Sequence, residues 1–168
     1  MSFRVALLSA LAISLWAWAV YVRPDGCRNY WRSESPLVAH GGGGLPYKSY
    51  PNNLAALNLS AAHKHMLIEL DMRENAGQIR FGHDEPTDLT LTELLAWLDR
   101  HPGVSIVTDF KTGNVVGLAT LKKLAGKRQD RFIPQIYRTE QYEPVLRMGY
   151  SKPIFAVGKR EPRLGRVG

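Results

Sequence analysis

The chain has 168 residues, room for one domain and little more. Its 22 Lys and Arg against 15 Asp and Glu give a net charge of +7, but the cations are scattered, and no basic motif interleaved with aromatics and no metal-finger spacing is present, which argues against a nucleic-acid partner. The charge suits encounter with anionic lipid headgroups or phosphorylated substrates, and a single cysteine, Cys27, excludes an internal disulfide.

Val5 to Val22 is a stretch of 18 residues without a charge, flanked by Arg4 and Arg23. That is close to the ~20 residues a helix needs to cross a bilayer, and Trp16, Trp18 and Tyr21 suit its interface. Residues 1–22 are therefore expected to be a membrane anchor or signal segment, holding the rest of the chain at the periplasmic or extracellular side. Ala17-Trp18-Ala19 fits a signal-cleavage site only loosely. Residues 23–35, with Pro24, Gly26 and several charges but no periodicity, read as a linker.

Beyond the linker, short apolar runs alternate with amphipathic stretches. "PLVAH" predicts a strand ending at His40, and "NLAALNLSAAHKH" a helix. "MLIELDM" and, after a turn at residues 75–77, "GQIRFGHD" predict two strands. In "LTLTELLAWLDRH", Thr90 and Glu93 have capping-box spacing, while Leu91, Leu94, Leu95 and Leu98 share one face of a helix. "GVSIVTDFK" predicts a buried strand, "VVGLATLKKLAG" a helix closed by glycine, "RFIPQIY" a strand, "EQYEPVLRMG" a short helix and "PIFAV" a last strand. Near-continuous apolar strands alternating with helices predict a parallel sheet covered by helices. Residues 158–168, "GKREPRLGRVG", read as a basic tail.

The polar residues of interest fall toward the carboxyl ends of these strands, where parallel α/β folds build their sites. Glu69 and Asp71, two apart on a strand, point to one face and repel each other unless a cation or a shared proton relieves them. Asp109 and Lys111 repeat the spacing. Three carboxylates converging from two strands suit a hard divalent cation, Mg²⁺ or Ca²⁺; an ion-pair network, such as Lys111 with Asp71, is the structural alternative. His40 stands before four glycines in a row, residue types used where backbone approaches a ligand closely or turns sharply at the surface. His40 and His83 together supply what cleavage of a phosphodiester needs: one imidazole to take a proton from the attacking oxygen and one to give a proton to the departing alkoxide, each transfer contributing ~10²- to 10⁴-fold.

In this order, "VAHGGG" with "YPNNLAAL", "IELDM", "FGHDEPTDLTLTELL" and "IVTDFK" resemble the glycerophosphodiester phosphodiesterase family, the barrel relatives of phosphatidylinositol-specific phospholipase C. The resemblance covers residues 36–157 and implies a TIM-type (β/α)8 barrel, incomplete at its C-terminus with about five or six strands, preceded by the N-terminal hydrophobic helix. It implies that His40 and His83 are the acid–base pair, that Glu69, Asp71 and Asp109 bind the metal, and that Lys111 contacts phosphate or the metal site. It also puts Asn52 beside the first histidine, although an N-cap for the following helix is an equally simple reading. Gly41 stands where many members carry an arginine that contacts phosphate, a contact that Lys48 or Lys111 would have to replace. The implied function is metal-dependent hydrolysis of glycerophosphodiesters or phospholipid headgroups. The alternative is a truncated, non-catalytic remnant that binds phosphorylated ligand or anionic membrane.

Overall fold

The computed structural model describes residues 37–156. The expected anchor 1–22, the linker 23–35 and the basic tail 158–168 lie outside the described residues, and among those described no helix is long and apolar enough to cross a membrane.

Six strands form one sheet: β1 (Val38–Ala39), β2 (Leu67–Asn75), β3 (Gln78–Phe81), β4 (Ser105–Phe110), β5 (Phe132–Ile136) and β6 (Ile154–Phe155). All but β3 run parallel and lie side by side in chain order, β1-β2-β4-β5-β6. Each step from one parallel strand to the next carries one helix: α1 (Leu54–Ala62), α2 (Leu91–Arg100), α3 (Asn114–Ala125) and α4 (Tyr142–Arg147). A doubly wound sheet would reverse its strand order at a switch point. This sheet does not, and its order is that of consecutive strands in a (β/α)8 barrel, of which the described residues hold five.

One expectation needs correction. The segment "GQIRFGHD" does form a strand, but β3 folds back antiparallel on β2, with Asn75 opposite Gln78 and Met72 opposite Phe81. The two-residue turn has positive φ at both Ala76 (50°) and Gly77 (79°), the geometry whose twist suits a hairpin. The hairpin brings the chain back from the carboxyl end of β2 to the middle of that strand, where the Gly82 N–H donates to the Asp71 carbonyl at 3.0 Å.

Alternation along the strands divides the sheet into two chemically different faces. Ile68, Leu70 and Met72 on β2 and Ile106 and Phe110 on β4 enter the core with Leu57, Leu94, Trp97, Leu98, Leu118 and Leu121 from the helices. Each such side chain contributes about 1.5–3 kcal/mol when fully buried. The opposite face carries Glu69 and Asp71 from β2, Val107 and Asp109 from β4, with Glu69 opposite Val107 and Asp71 opposite Asp109.

The helices are fixed by local and distant contacts alike. The Thr90 hydroxyl accepts from the Glu93 N–H at 3.2 Å, while the Glu93 carboxylate accepts from the Thr90 N–H at 2.9 Å, so the capping box at the start of α2 is complete. Past its other end the Arg131 guanidinium donates to the carbonyls of His101 (2.7 Å) and Val104 (3.0 Å), fixing the loop between α2 and β4. The Trp97 indole N–H donates to Asn58 at 2.8 Å and ties α2 to α1.

Helix α3 packs on the sheet through Gly117, where an added Cβ would lie 2.4 Å from the buried ring of Phe110. Replacing a helix-interior glycine by alanine ordinarily gains about 1 kcal/mol. Here the methyl meets a ring enclosed by the core, and overpacking of that kind costs about 1–3 kcal/mol. Gly117→Ala is therefore expected to lower the urea midpoint, whereas a raised midpoint would show that α3 can lift from the sheet at no cost.

Candidate active site

Glu69, Asp71 and Asp109 are all buried, and one carboxylate oxygen from each lies within 4.8 Å of the others. Strand pairing accounts for this directly, because Asp71 and Asp109 are partners in register and Glu69 is two residues back on the same face. Lys111, just past the end of β4, turns its ammonium onto the pair, 2.6 Å from Asp109 Oδ2 and in contact with Asp71 Oδ1. Burial pulls the Lys111 ammonium down, but its bonds to Asp109 and Asp71 outweigh that and hold its pKa above the ordinary lysine value.

One lysine cannot offset three buried carboxylates, and neutral donors supply part of the rest. Asn52 is wholly buried, donating its amide N–H to Asp71 Oδ2 at 2.8 Å and accepting from the Asp71 N–H at 2.9 Å. The Tyr137 hydroxyl donates to Asp109 Oδ1 and accepts from Gln135 at 3.0 Å. Burial and the neighbouring Asp109 carboxylate push the Tyr137 phenol well above its ordinary pKa. The Gly41 N–H and His40 Nδ1 both bond Glu69 Oε2, each at 2.7 Å.

Glu69 is the least compensated of the three. Its Oε1 is buried with no hydrogen-bond partner among the described residues. Burial raises its pKa from 4.5 to about 7; the Gly41 N–H and Lys111 oppose the rise, and the charges of Asp71 and Asp109 add to it. A buried oxygen without a donor, inside a set of three oxygen ligands bearing two more negative charges than the lone lysine offsets, fits a hard divalent cation. The ion-pair alternative is also present, since Lys111 does pair with Asp71, but it leaves Glu69 Oε1 unserved.

The two histidines reach this rim by different routes. His40 follows β1 directly, in a 3-10 turn over His40–Gly42. His83 arrives by way of the β2–β3 hairpin; its Nδ1 lies 3.0 Å from Asp84 Oδ1, and the Arg73 guanidinium holds the carbonyls of His83 (2.7 Å) and Asp84 (3.0 Å). Tyr50 contacts both imidazoles, edge-on to His40 with ring centroids 5.0 Å apart and stacked on His83 at 5.2 Å.

The remaining predicted residues take other places. Asn52 is not the helix cap: Asn53 is, accepting from the Ala56 N–H at 3.0 Å, and Asn52 sits at a φ of +43° with its amide committed to Asp71. Gly41 spends its N–H on Glu69 rather than offering it to a ligand, and Lys48 is exposed in a turn closed by Leu45. Reading of the sequence missed Tyr50 and Tyr137. Tyr137 had a signal, because it continues the Ile133–Gln135 face of β5 that stands beside Val107 and Asp109; Tyr50 had none.

Among solved structures the chain is similar to a glycerophosphodiester phosphodiesterase from Agrobacterium tumefaciens str. C58, at 18% identity and a TM-score of 0.43, over 68% of this chain and 62% of that one. The described fold thus spans less than two thirds of that protein's length. No family model and no curated protein matches the sequence.

The raised Glu69 pKa has a signed consequence in metal-free protein. Between pH 4.5 and about 7 the folded chain holds a proton that the unfolded chain has lost, so stability falls as pH rises through this window and is level above it. The loss amounts to about 3 kcal/mol at ~1.4 kcal/mol per pH unit. Urea denaturation in EDTA at pH 5 and pH 8 is expected to show it as a difference between the native chain and Glu69→Gln; identical pH dependence in both would place the proton elsewhere.

Proposed function

We propose that the chain is a metal-dependent phosphodiester hydrolase acting on glycerophosphodiesters or phospholipid headgroups. One observation carries the reading: a buried group of three carboxylates and a lysine is joined through Glu69 to His40, and through Tyr50 to His83, at one rim of the sheet. An acid–base pair beside a cation site is the equipment that hydrolysis of a stable phosphodiester requires. The ordered motifs that resemble the family support the same reading. A divalent cation held by Glu69, Asp71 and Asp109 would act as a Lewis acid, neutralising charge that builds on the phosphoryl oxygens.

The chain's own groups then divide the work. With Glu69 ionised, its Oε2 accepts from His40 Nδ1, which leaves Nε2 of that ring as the proton acceptor or, once charged, donor. The His83 Nδ1 has a carboxylate partner too, Asp84 at 3.0 Å, but that side chain is exposed where Glu69 is buried. One imidazole takes the proton of the attacking hydroxyl or water while the other protonates the departing alkoxide. Lys111 remains charged in its two ion pairs and adds positive potential at the site's floor. Asn52, Tyr137 and the Gly41 N–H hold the carboxylates in place. Anchoring at a membrane, with the site facing the periplasm or the outside, rests on the apolar sequence of residues 1–22.

Activity on glycerophosphocholine and bis-(p-nitrophenyl) phosphate is expected to vanish in EDTA and return with Mg²⁺ or Ca²⁺; undiminished turnover in EDTA would remove the cation from the mechanism. His40→Ala and His83→Ala are each expected to lower kcat by about 10²- to 10⁴-fold on the alkyl ester; the exposed His83 should leave the melting curve unchanged, whereas His40→Ala, which takes a partner from the buried Glu69 carboxylate, should lower it modestly. The variant lacking the general acid should lose far less on the aryl ester, whose leaving group needs no proton. Equal losses on both substrates would argue against a division into acid and base.

A further inference from the structure

We infer that Tyr50 is a positioning residue that sets the two histidines relative to each other, an inference that rests on the hydrolase reading. His40 and His83 belong to separate loops, one following β1 and one following β3, and these two strands both pair with β2 but not with each other. His40 is held on its own side by Glu69. His83 has no comparable anchor: its Nδ1 bonds a carboxylate, Asp84, whose side chain is 90% exposed, and a bond to a solvated carboxylate fixes a ring poorly. The Tyr50 ring bridges the gap, stacked at 25° on His83 and set at 63° to His40, the offset-stacked and edge-on contacts that aromatic rings favour.

Tyr50 is itself well placed to act as a spacer. Its backbone is tied to the first loop through the Asn52 N–H, which donates to the Gly41 carbonyl at 3.0 Å, and to the second through the Asn52 carbonyl, which accepts from the Thr87 hydroxyl at 2.9 Å. The ring packs directly on the Gly41 backbone, so closely that a Cβ at Gly41 would lie 2.7 Å from Tyr50 Cδ1. A phenol ring has two side-chain torsions to fix, so it holds a spacing at low entropic cost. Because the residue is 44% exposed, it contributes little to the core, and its conspicuous contacts are with the two imidazoles.

The test uses the full-length chain in mild detergent, with Tyr50→Phe and Tyr50→Leu. Misplacing a catalytic group by about 1 Å can cost ~10²-fold, so Tyr50→Leu is expected to lower kcat on glycerophosphocholine, whose alkoxide needs both imidazoles, by about 10- to 100-fold with Mg²⁺, with KM little changed, and Tyr50→Phe to restore it. Independently of turnover, the ring C–H proton resonances of His40 and His83, assigned with the two alanine variants, are expected to carry ring-current displacements that survive in Tyr50→Phe and disappear in Tyr50→Leu. Resonances that stay in place in Tyr50→Leu overturn the inference whatever the activity. So does an unchanged kcat in that variant, and so does a loss in Tyr50→Phe equal to that in Tyr50→Leu, which would assign the role to the hydroxyl. A native chain that shows the ring-current displacements but no turnover with any divalent cation overturns the hydrolase reading, and the catalytic role of Tyr50 with it.

Discussion

Three carboxylates buried on adjacent strands are the constraint around which the rest of this structure is arranged. Taking an ion out of water costs several kcal/mol even after relaxation, and like charges held together add to that cost. A protein ordinarily avoids such a group or neutralises it. Here the neutralisation is partial: Lys111 serves Asp71 and Asp109, Asn52 serves Asp71, Tyr137 serves Asp109, and the Gly41 N–H and His40 serve Glu69. The compensating groups come from three connections, His40, Gly41 and Asn52 after β1, Lys111 after β4 and Tyr137 after β5, so these loops are all drawn to one rim by the same charges.

The division of the sheet into an apolar and an ionic face makes this affordable. Stability comes from the helix side, where Leu70, Met72, Ile106 and Phe110 meet α1, α2 and α3. The opposite face can then carry residues that oppose folding. A period of two assigns neighbours on one strand to opposite faces, so Leu70 packs in the core between two carboxylates that do not. The hairpin completes the geometry: the tight turn at Ala76–Gly77 returns the chain along β2, so that Gly82, the residue before His83, donates its N–H to the Asp71 carbonyl.

What could be read in the sequence follows the range of the interaction concerned. The capping box of α2, the i, i+2 carboxylates of β2 and the apolar strand ends are local, and the structure has them where the pattern places them. The hairpin was only half legible, because Ala76 occupies a left-handed position usually given to Gly, Asn or Asp. Asn52 and Asn53 could not be told apart as caps, since both are asparagines before the same helix; what separates them is a bond from Asn52 to Asp71 across 19 residues. Tyr50, Arg131 and the Trp97–Asn58 bond were illegible for the same reason: their partners lie on other elements, and nothing within a few residues of them signals the contact.

The glycine run after His40 shows how such distant constraints act back on local sequence. Four consecutive glycines suggest slack, yet each has a positive φ and two of them have no room for a side chain. At Gly43 a Cβ would overlap the Ser60 hydroxyl of α1, which is occupied in donating to the Gly42 carbonyl at 2.9 Å. At Gly41 it would meet Tyr50, and the φ of +60° there is what accompanies an N–H delivered to Glu69. A single loop thus presses against a helix on one side, a tyrosine on another and a buried carboxylate on a third. Glycine is needed because the backbone itself is the packing surface and the hydrogen-bond donor. Any side chain at Gly41 would have to displace either the tyrosine that spaces the histidines or the N–H that steadies the least compensated charge, so the conformational freedom implied by the sequence is consumed in holding His40 and Glu69 together.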